Sequence, residues 1–197
     1  MTARAIVTGC SYDEPWKSVA DKTWGSMARY AEAIGVAFHW YALQPHPSRH
    51  WSWQKLGCLA SGLSTYDEVL WLDADVAVVD RSENIFDAVP ESSDMAMARL
   101  TDGLGRQHFN CGVWLARRTS LPILMAAAMD DACIHHCWWE QAAINKLANE
   151  SNTHALHERW NHWRGSPQDL KPMFRHACDL PGSERIRLIT EWVEECR

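Results

Sequence analysis

The sequence predicts an α/β fold with a mostly parallel central sheet flanked by helices. Short β-branched or apolar runs alternate with longer stretches whose apolar residues recur at helical spacing. One run, Val69-Leu70-Trp71-Leu72 behind Glu68, is continuously apolar, as in a strand covered on both faces. Nothing along the 197 residues reads as a repeat, a low-complexity tract or a linker, so a single domain spanning 1–197 is expected.

The elements follow in order. Ala5-Ile6-Val7-Thr8 reads as a first strand ending at Gly9, with Gly9-Cys10-Ser11-Tyr12 as the loop beyond it. Helical spacing over 16–34 brings together Val19, Trp24, Met27, Tyr30 and Ala31, and Gly35 stops that helix. A second strand is expected over 36–43, a proline-bearing loop over 44–50, and a second helix over 52–63. The strand at 68–72 runs into Asp73-Ala74-Asp75, and a second apolar run covers 76–79. Further strands are expected over 94–99 and 111–116, helices over 121–129 and 138–147, and a closing helix from Gly182. In such sheets ligands bind beyond the carboxyl ends of the strands. Both the loop after Gly9 and the acidic turn at Asp73 fall there.

Composition narrows the partners. The net charge is −6 and the basic residues are dispersed, which argues against a broad nucleic-acid surface. Tryptophan dominates the aromatics, 12 against 4 Tyr and 4 Phe. Most are expected in the core. Trp51, Trp53, Trp160 and Trp163 sit in polar stretches, where an indole can stack on the ring face of a sugar. The seven cysteines are odd in number and form no CxxC pair. Met1-Thr2-Ala3-Arg4 leads straight into a strand without the apolar core of a signal peptide, and no apolar run approaches the roughly 20 residues that span a bilayer. The expectation is a cytoplasmic protein with reduced thiols. Cys133-Ile134-His135-His136-Cys137 has zinc-type residues but lacks a second ligand pair at a standard spacing, so it reads as a helix-to-helix connection with buried thiols.

The chemistry is concentrated in Asp73-Ala74-Asp75. Alternate residues of an extended segment project to one side, and paired carboxylate oxygens suit hard cations such as Mn²⁺ or Mg²⁺. Two carboxylates that close, with no cation, would repel, and one would tend to protonate. The plain alternative is an acidic surface turn.

The stretch Tyr66-Asp67-Glu68-Val69-Leu70-Trp71-Leu72-Asp73-Ala74-Asp75 resembles the signature of GT-A nucleotide-sugar glycosyltransferases, in their retaining, galactosyltransferase-like pattern. Lys55-Leu56, Phe109-Asn110-Cys111-Gly112-Val113-Trp114-Leu115, Trp139-Glu140-Gln141-Ala142-Ala143-Ile144-Asn145, Trp160-Asn161 and Phe174-Arg175-His176-Ala177 are similar to further elements of that family, in the family's order. They span residues 5 to about 180. The glycine usual after the C-terminal histidine is replaced here by Cys178-Asp179-Leu180-Pro181.

The resemblance implies a Rossmann-like GT-A fold and a nucleotide-sugar donor, UDP being the nucleotide, with a glycan or other hydroxyl as acceptor. It implies that Asp73 and Asp75 hold the cation with the donor diphosphate and that His176 is a third ligand. Asn110 would meet sugar hydroxyls, and Gly112 would let backbone approach a ligand. Glu140 and Gln141 would touch the acceptor or the reacting sugar. Glu140 is the candidate general base of an inverting reaction, or else a helix-start carboxylate. Thr8, Gly9 and Ser11 would meet the base and ribose, Lys55 a phosphate or an acidic residue, and Arg99 the donor sugar. The glycine-rich loop Asp102-Gly103-Leu104-Gly105-Arg106 reads as a lid over the donor.

Three other classes are weighed. A haloacid-dehalogenase-like phosphohydrolase also places DxD after an apolar strand, but wants Thr or Val where Ala77 stands and has the motif near its N-terminus. A sugar-nucleotide pyrophosphorylase needs a glycine-rich basic loop after the first strand, which Gly9-Cys10-Ser11-Tyr12-Asp13-Glu14 is not. A non-catalytic nucleotide-sugar-binding domain would have less reason to keep the acidic pair.

Overall fold

A computed structural model of the chain describes residues 2–11, 13–101 and 104–196. Its strands are β1 (Arg4–Ser11), β2 (Ala37–Leu43), β3 (Glu68–Leu72), β4 (Val76–Val78), β5 (Met95–Thr101), β6 (Gln107–Arg117), β7 (Thr153–Leu156) and β8 (Phe174–His176). The helices are α1 (Trp16–Ala33), α2 (Gln54–Thr65), α3 (Leu121–Ala128), α4 (Trp139–Leu147) and α5 (Gly182–Glu195). Six strands form the main sheet in the order β2-β1-β3-β6-β5-β7. All pairings are parallel except those of β6, which runs against both neighbours. The sheet is therefore mostly parallel, as its apolar strands imply. A small ribbon, β4 with β8, closes one end.

The strand at the acidic turn is buried along its whole length. Val69 and Trp71 face one core with Leu56, Leu59, Trp114 and Ile144, which lies under α2, α3 and α4. Leu70 and Leu72 face the other, with Met27 and Tyr30 of α1 and with Phe174. Alternation thus explains why β3 has no polar face. Removing a side chain such as Leu70 would cost about 2–5 kcal/mol. A third cluster, Val19, Ala77, Ala177, Ile189 and Val193, packs α5 across α1 and the ribbon.

The structure corrects several boundaries. β1 continues through Gly9, Cys10 and Ser11, each paired with β2 (Gly9 with Tyr41, Ser11 with Leu43), so the expected loop is strand up to Ser11. Tyr12 lies outside the described residues, as do Asp102 and Gly103 of the glycine-rich loop. β6 begins at Gln107 rather than at 111, so Asn110 lies inside this central strand. The strands β7 and β8 were not foreseen. At four and three residues they are too short to show a period and exist through their partners β5 and β4.

One irregularity positions the site. Between Met97 and Ala98 the register of β5 on β6 jumps from Trp114 to Asn110, so Cys111, Gly112 and Val113 bulge from that pairing. Bulged backbone needs new partners. The Gly112 carbonyl accepts from Asp73 N–H at 2.8 Å. The Cys111 N–H donates to Gln141 Oε1 at 3.0 Å, and Lys55 Nζ donates to the Cys111 carbonyl at 3.1 Å. The bulge is thereby tied to residues the sequence had already singled out.

Candidate active site

A cavity of about 810 Å³ opens at the carboxyl ends of β1 and β3. Of the residues singled out by sequence, Gly9, Lys55, Asp73, Asp75, Asn110, Glu140, Gln141 and His176 line it. Asp73 leaves β3 directly. The tight turn at Ala74 brings Asp75 back to face β8, where the Ala177 N–H donates to the Asp75 carbonyl at 3.1 Å.

Asp73, Asp75 and His176 each offer one ligand atom, and these atoms lie within 4.8 Å of one another. Two hard carboxylate oxygens and one imidazole nitrogen form a donor set that fits Mn²⁺ or Mg²⁺. Among the described residues no other group of three such side chains converges. The Cys133–Cys137 patch in particular does not: Cys133 is buried in the core, and all seven cysteines are free thiols.

His176 is nearly fully buried and engaged at both nitrogens. Nδ1 lies 2.9 Å from Asn161 Oδ1, and Nε2 lies 3.3 Å from Asp75 Oδ1. Burial alone would lower its pKa, but Cys178 and Asp75 outweigh burial and raise it well above the usual histidine value. Burial likewise pushes Asp75 up, yet His176 and Arg185 outweigh it and hold its carboxyl below the ordinary range. Arg185 Nε sits 3.3 Å from Asp75 Oδ2 and donates to the Ala177 carbonyl at 3.0 Å.

Behind the histidine runs a relay of amides. Asn161 Nδ2 donates to Asn110 Oδ1 at 2.8 Å, and the same oxygen accepts from the Gly112 N–H at 2.9 Å. With its Nδ1 proton given to Asn161, His176 presents Nε2 to the carboxylates, the orientation a metal-binding imidazole requires. Asn161→Ala is expected to weaken Mn²⁺ affinity by about 10–100-fold in calorimetric titration, and to cost about 1–3 kcal/mol in urea denaturation because it leaves the buried His176 Nδ1 without its partner.

Gly112 is not in the cavity lining. A Cβ there would lie 2.1 Å from Cε1 and 2.7 Å from Nδ1 of His176. The glycine thus makes room for the imidazole. Gly112→Ala must push His176 out of place. It is expected to destabilise by about 1–3 kcal/mol in chemical denaturation and to abolish tight Mn²⁺ binding.

Lys55 is buried and central. Its Nζ lies 2.8 Å from Asp73 Oδ1 and 3.0 Å from Glu140 Oε1, with the Trp71 ring 5.6 Å away. Burial would lower its pKa, but the two carboxylates outweigh that and raise it far above the normal lysine value. Asp73 Oδ1 also accepts from Trp71 Nε1 at 2.6 Å. Glu140 is buried with Oε2 lacking a partner. Gln141 is held by Cys111, as described above.

Three expected contacts do not reach the cavity. Thr8 and Ser11 are buried in β1 and only their neighbour Gly9 lines it. Arg99 points away, its guanidinium over Phe109 at 5.0 Å and 3.8 Å from Glu150; the next residue, Leu100, faces the cavity instead. Of the loop tryptophans, Trp53 and Trp160 are core residues, whereas Trp51 and Trp163 line the cavity. Sequence reasoning missed Arg185 and the rings of Trp16, Trp138 and Trp139, which also line it.

By sequence the chain matches no family model and no curated protein. Solved structures do share its backbone. A glycosyltransferase involved in the glycosylation of the major capsid of PBCV-1 superposes with a TM-score of 0.81 at 17% identity, covering 96% of this chain and 99% of that one. The chain has the GT-A fold. The glycosyltransferase GlyE of Streptococcus pneumoniae shares it with a TM-score of 0.66 at 17% identity, over 98% of this chain and 60% of its own. So does the galactosyltransferase LgtC, solved with donor and acceptor sugar analogs, with a TM-score of 0.62 at 12% identity over 98% and 96%. Among the described residues of this GT-A domain no helix is long and apolar enough to cross a membrane.

Proposed function

We propose that the chain is a metal-dependent glycosyltransferase that moves a sugar from a nucleoside-diphosphate sugar, with UDP as the nucleotide, to a hydroxyl acceptor. The observation that carries this reading is the convergence of Asp73, Asp75 and His176 on the cavity lining of a GT-A fold. These three residues would hold Mn²⁺ or Mg²⁺, which when bound would engage the donor diphosphate and neutralise charge on the nucleoside-diphosphate leaving group.

The chain's own side chains then divide the remaining work. Lys55 ties Asp73 and Glu140 in place through its two ion pairs. Glu140 Oε2, buried and unpartnered on the cavity wall, is placed to accept from a hydroxyl of the donor sugar. In an inverting reaction the same oxygen would take the proton of the attacking hydroxyl. Asn110 spends its Oδ1 on Asn161 and Gly112, which leaves its amide hydrogens for the sugar. Gly9 brings the end of β1 to the cavity for the nucleotide, and Arg185 adds a cation beside Asp75 for the phosphates. Tryptophans around the mouth exclude water from the reacting centre.

A phosphohydrolase reading would use Asp73 as a nucleophile and wants Thr or Val where Ala77 stands. The test is release of the nucleoside diphosphate from a panel of UDP- and GDP-sugars with Mn²⁺, hydrolysis by water included. Turnover of one donor supports the transferase. Inactivity on every donor, with phosphate released from p-nitrophenyl phosphate instead, would overturn it.

A further inference from the structure

One wall of the cavity has been given no role beyond excluding water. His50, Trp51, Trp138 and Trp139 line it together, and Trp138 and Trp139 immediately precede Glu140 and Gln141 in the chain. The rings are arranged, not scattered. His50 stacks on Trp139 with centroids 3.8 Å apart and 7° between planes, and His108 stacks on Trp138 at 4.4 Å. His50 is itself fixed, its Nδ1 2.9 Å from Ser52 Oγ. The turn of the Cys133–Cys137 patch supports the wall from below, with His136 Nδ1 accepting from the Trp138 N–H at 3.1 Å.

Trp139 is the informative residue. It is 38% exposed although it is among the largest apolar side chains, and its φ is +44°, a conformation that costs a bulky residue free energy. The indole is left part-exposed on the cavity lining, one face covered by His50. Flat aromatic surface beside carboxylates and amides suits a molecule with an apolar face and a polar rim. A pyranose is such a molecule: axial C–H bonds on one face, hydroxyls around the edge.

We infer that the Trp138–Trp139 wall is the acceptor subsite and that the acceptor is a glycan whose terminal pyranose stacks on Trp139. This rests on the transferase reading above. The stacking would leave one hydroxyl of the ring directed past Glu140 towards the donor.

The experiment is ligand-observed saturation-transfer NMR on the full chain with Mn²⁺ and UDP, using methyl β-D-glucoside, methyl β-D-galactoside, methyl α-D-mannoside and a Ser/Thr peptide as probes. UDP affinity is measured in parallel by calorimetry. The expected result is saturation of the ring C–H protons of at least one glycoside. Trp139→Ala should weaken its binding about tenfold, Trp139→Phe should restore most of it, and UDP affinity should stay unchanged. With UDP bound, three outcomes would overturn the inference alone: no glycoside saturates, the peptide saturates instead, or glycoside binding survives both Trp138→Ala and Trp139→Ala. Loss of UDP affinity in Trp139→Ala would assign the ring to the nucleotide base and overturn it too. Failure of the wild type to bind UDP with Mn²⁺ would remove the transferase reading itself, and this inference with it.

Discussion

Asp75→Ala is expected to lower sugar transfer by about 10³-fold or more, ~4 kcal/mol of transition-state stabilisation. Asp75 is buried, and its two oxygens face different partners, His176 through Oδ1 and Arg185 through Oδ2. Removing it deletes a metal ligand and leaves two cationic groups without their counter-charge. The alanine variant is also expected to lose stability. Asp75→Asn is therefore the informative companion. It keeps the shape and most of the packing but removes the negative charge that a divalent cation needs. Transfer should fall nearly as far in Asp75→Asn while the denaturation midpoint moves less. Rates from nucleoside-diphosphate release and midpoints from urea titration separate the two effects. A variant with wild-type turnover would show that the acidic turn is only a turn.

Lys55→Met is expected to destabilise the fold by about 3–5 kcal/mol, because it leaves the buried Glu140 and the half-buried Asp73 without their cation. The methionine fills the space, so the loss is electrostatic rather than a cavity. At roughly 2–4 °C per kcal/mol for a chain of this size, the thermal midpoint should drop by about 10 °C. The contribution has a definite pH signature. The folded pKa of Lys55 is raised, so its stabilisation is fully present below the unfolded lysine value and is lost only as pH rises through the folded one. The difference between wild type and variant should therefore be flat from pH 6 to 9. Lys55→Met combined with Glu140→Gln should recover part of the loss, since the second change removes a charge stranded by the first. Additive losses in the double variant would mean that the pair is not coupled.

Parts of this site were legible in the sequence for physical reasons. The acidic pair follows β3, whose two buried faces leave an uninterrupted apolar run that is easy to see. The sheet was legible because its central strands are apolar and its helices periodic. What escaped depends on contacts distant in sequence. Arg99 and Leu100 are adjacent, and the strand's alternation on an unknown register decides which one faces the cavity. Gly112 carries a visible signal, but its purpose is His176, 64 residues later, and only the bulge in β6 brings the two together. Asn161 stood in a stretch similar to known transferases, yet nothing local says that it aims an imidazole. Arg185 offered no motif, and Trp139, although it opens a stretch similar to known transferases, gave no sign of its exposure. The first returns to Asp75 on the closing helix, and the second depends on a backbone angle no pattern encodes.

The central claim is that Asp73, Asp75 and His176 make nucleotide binding depend on a divalent cation. Its most direct measurement is calorimetric titration of UDP, and separately of GDP, into the protein with Mn²⁺ and again with EDTA. The account predicts binding of UDP with Mn²⁺, none with EDTA, and none in Asp75→Asn under either condition. Equal binding with and without the metal, or no binding of either nucleotide in any condition, would contradict it.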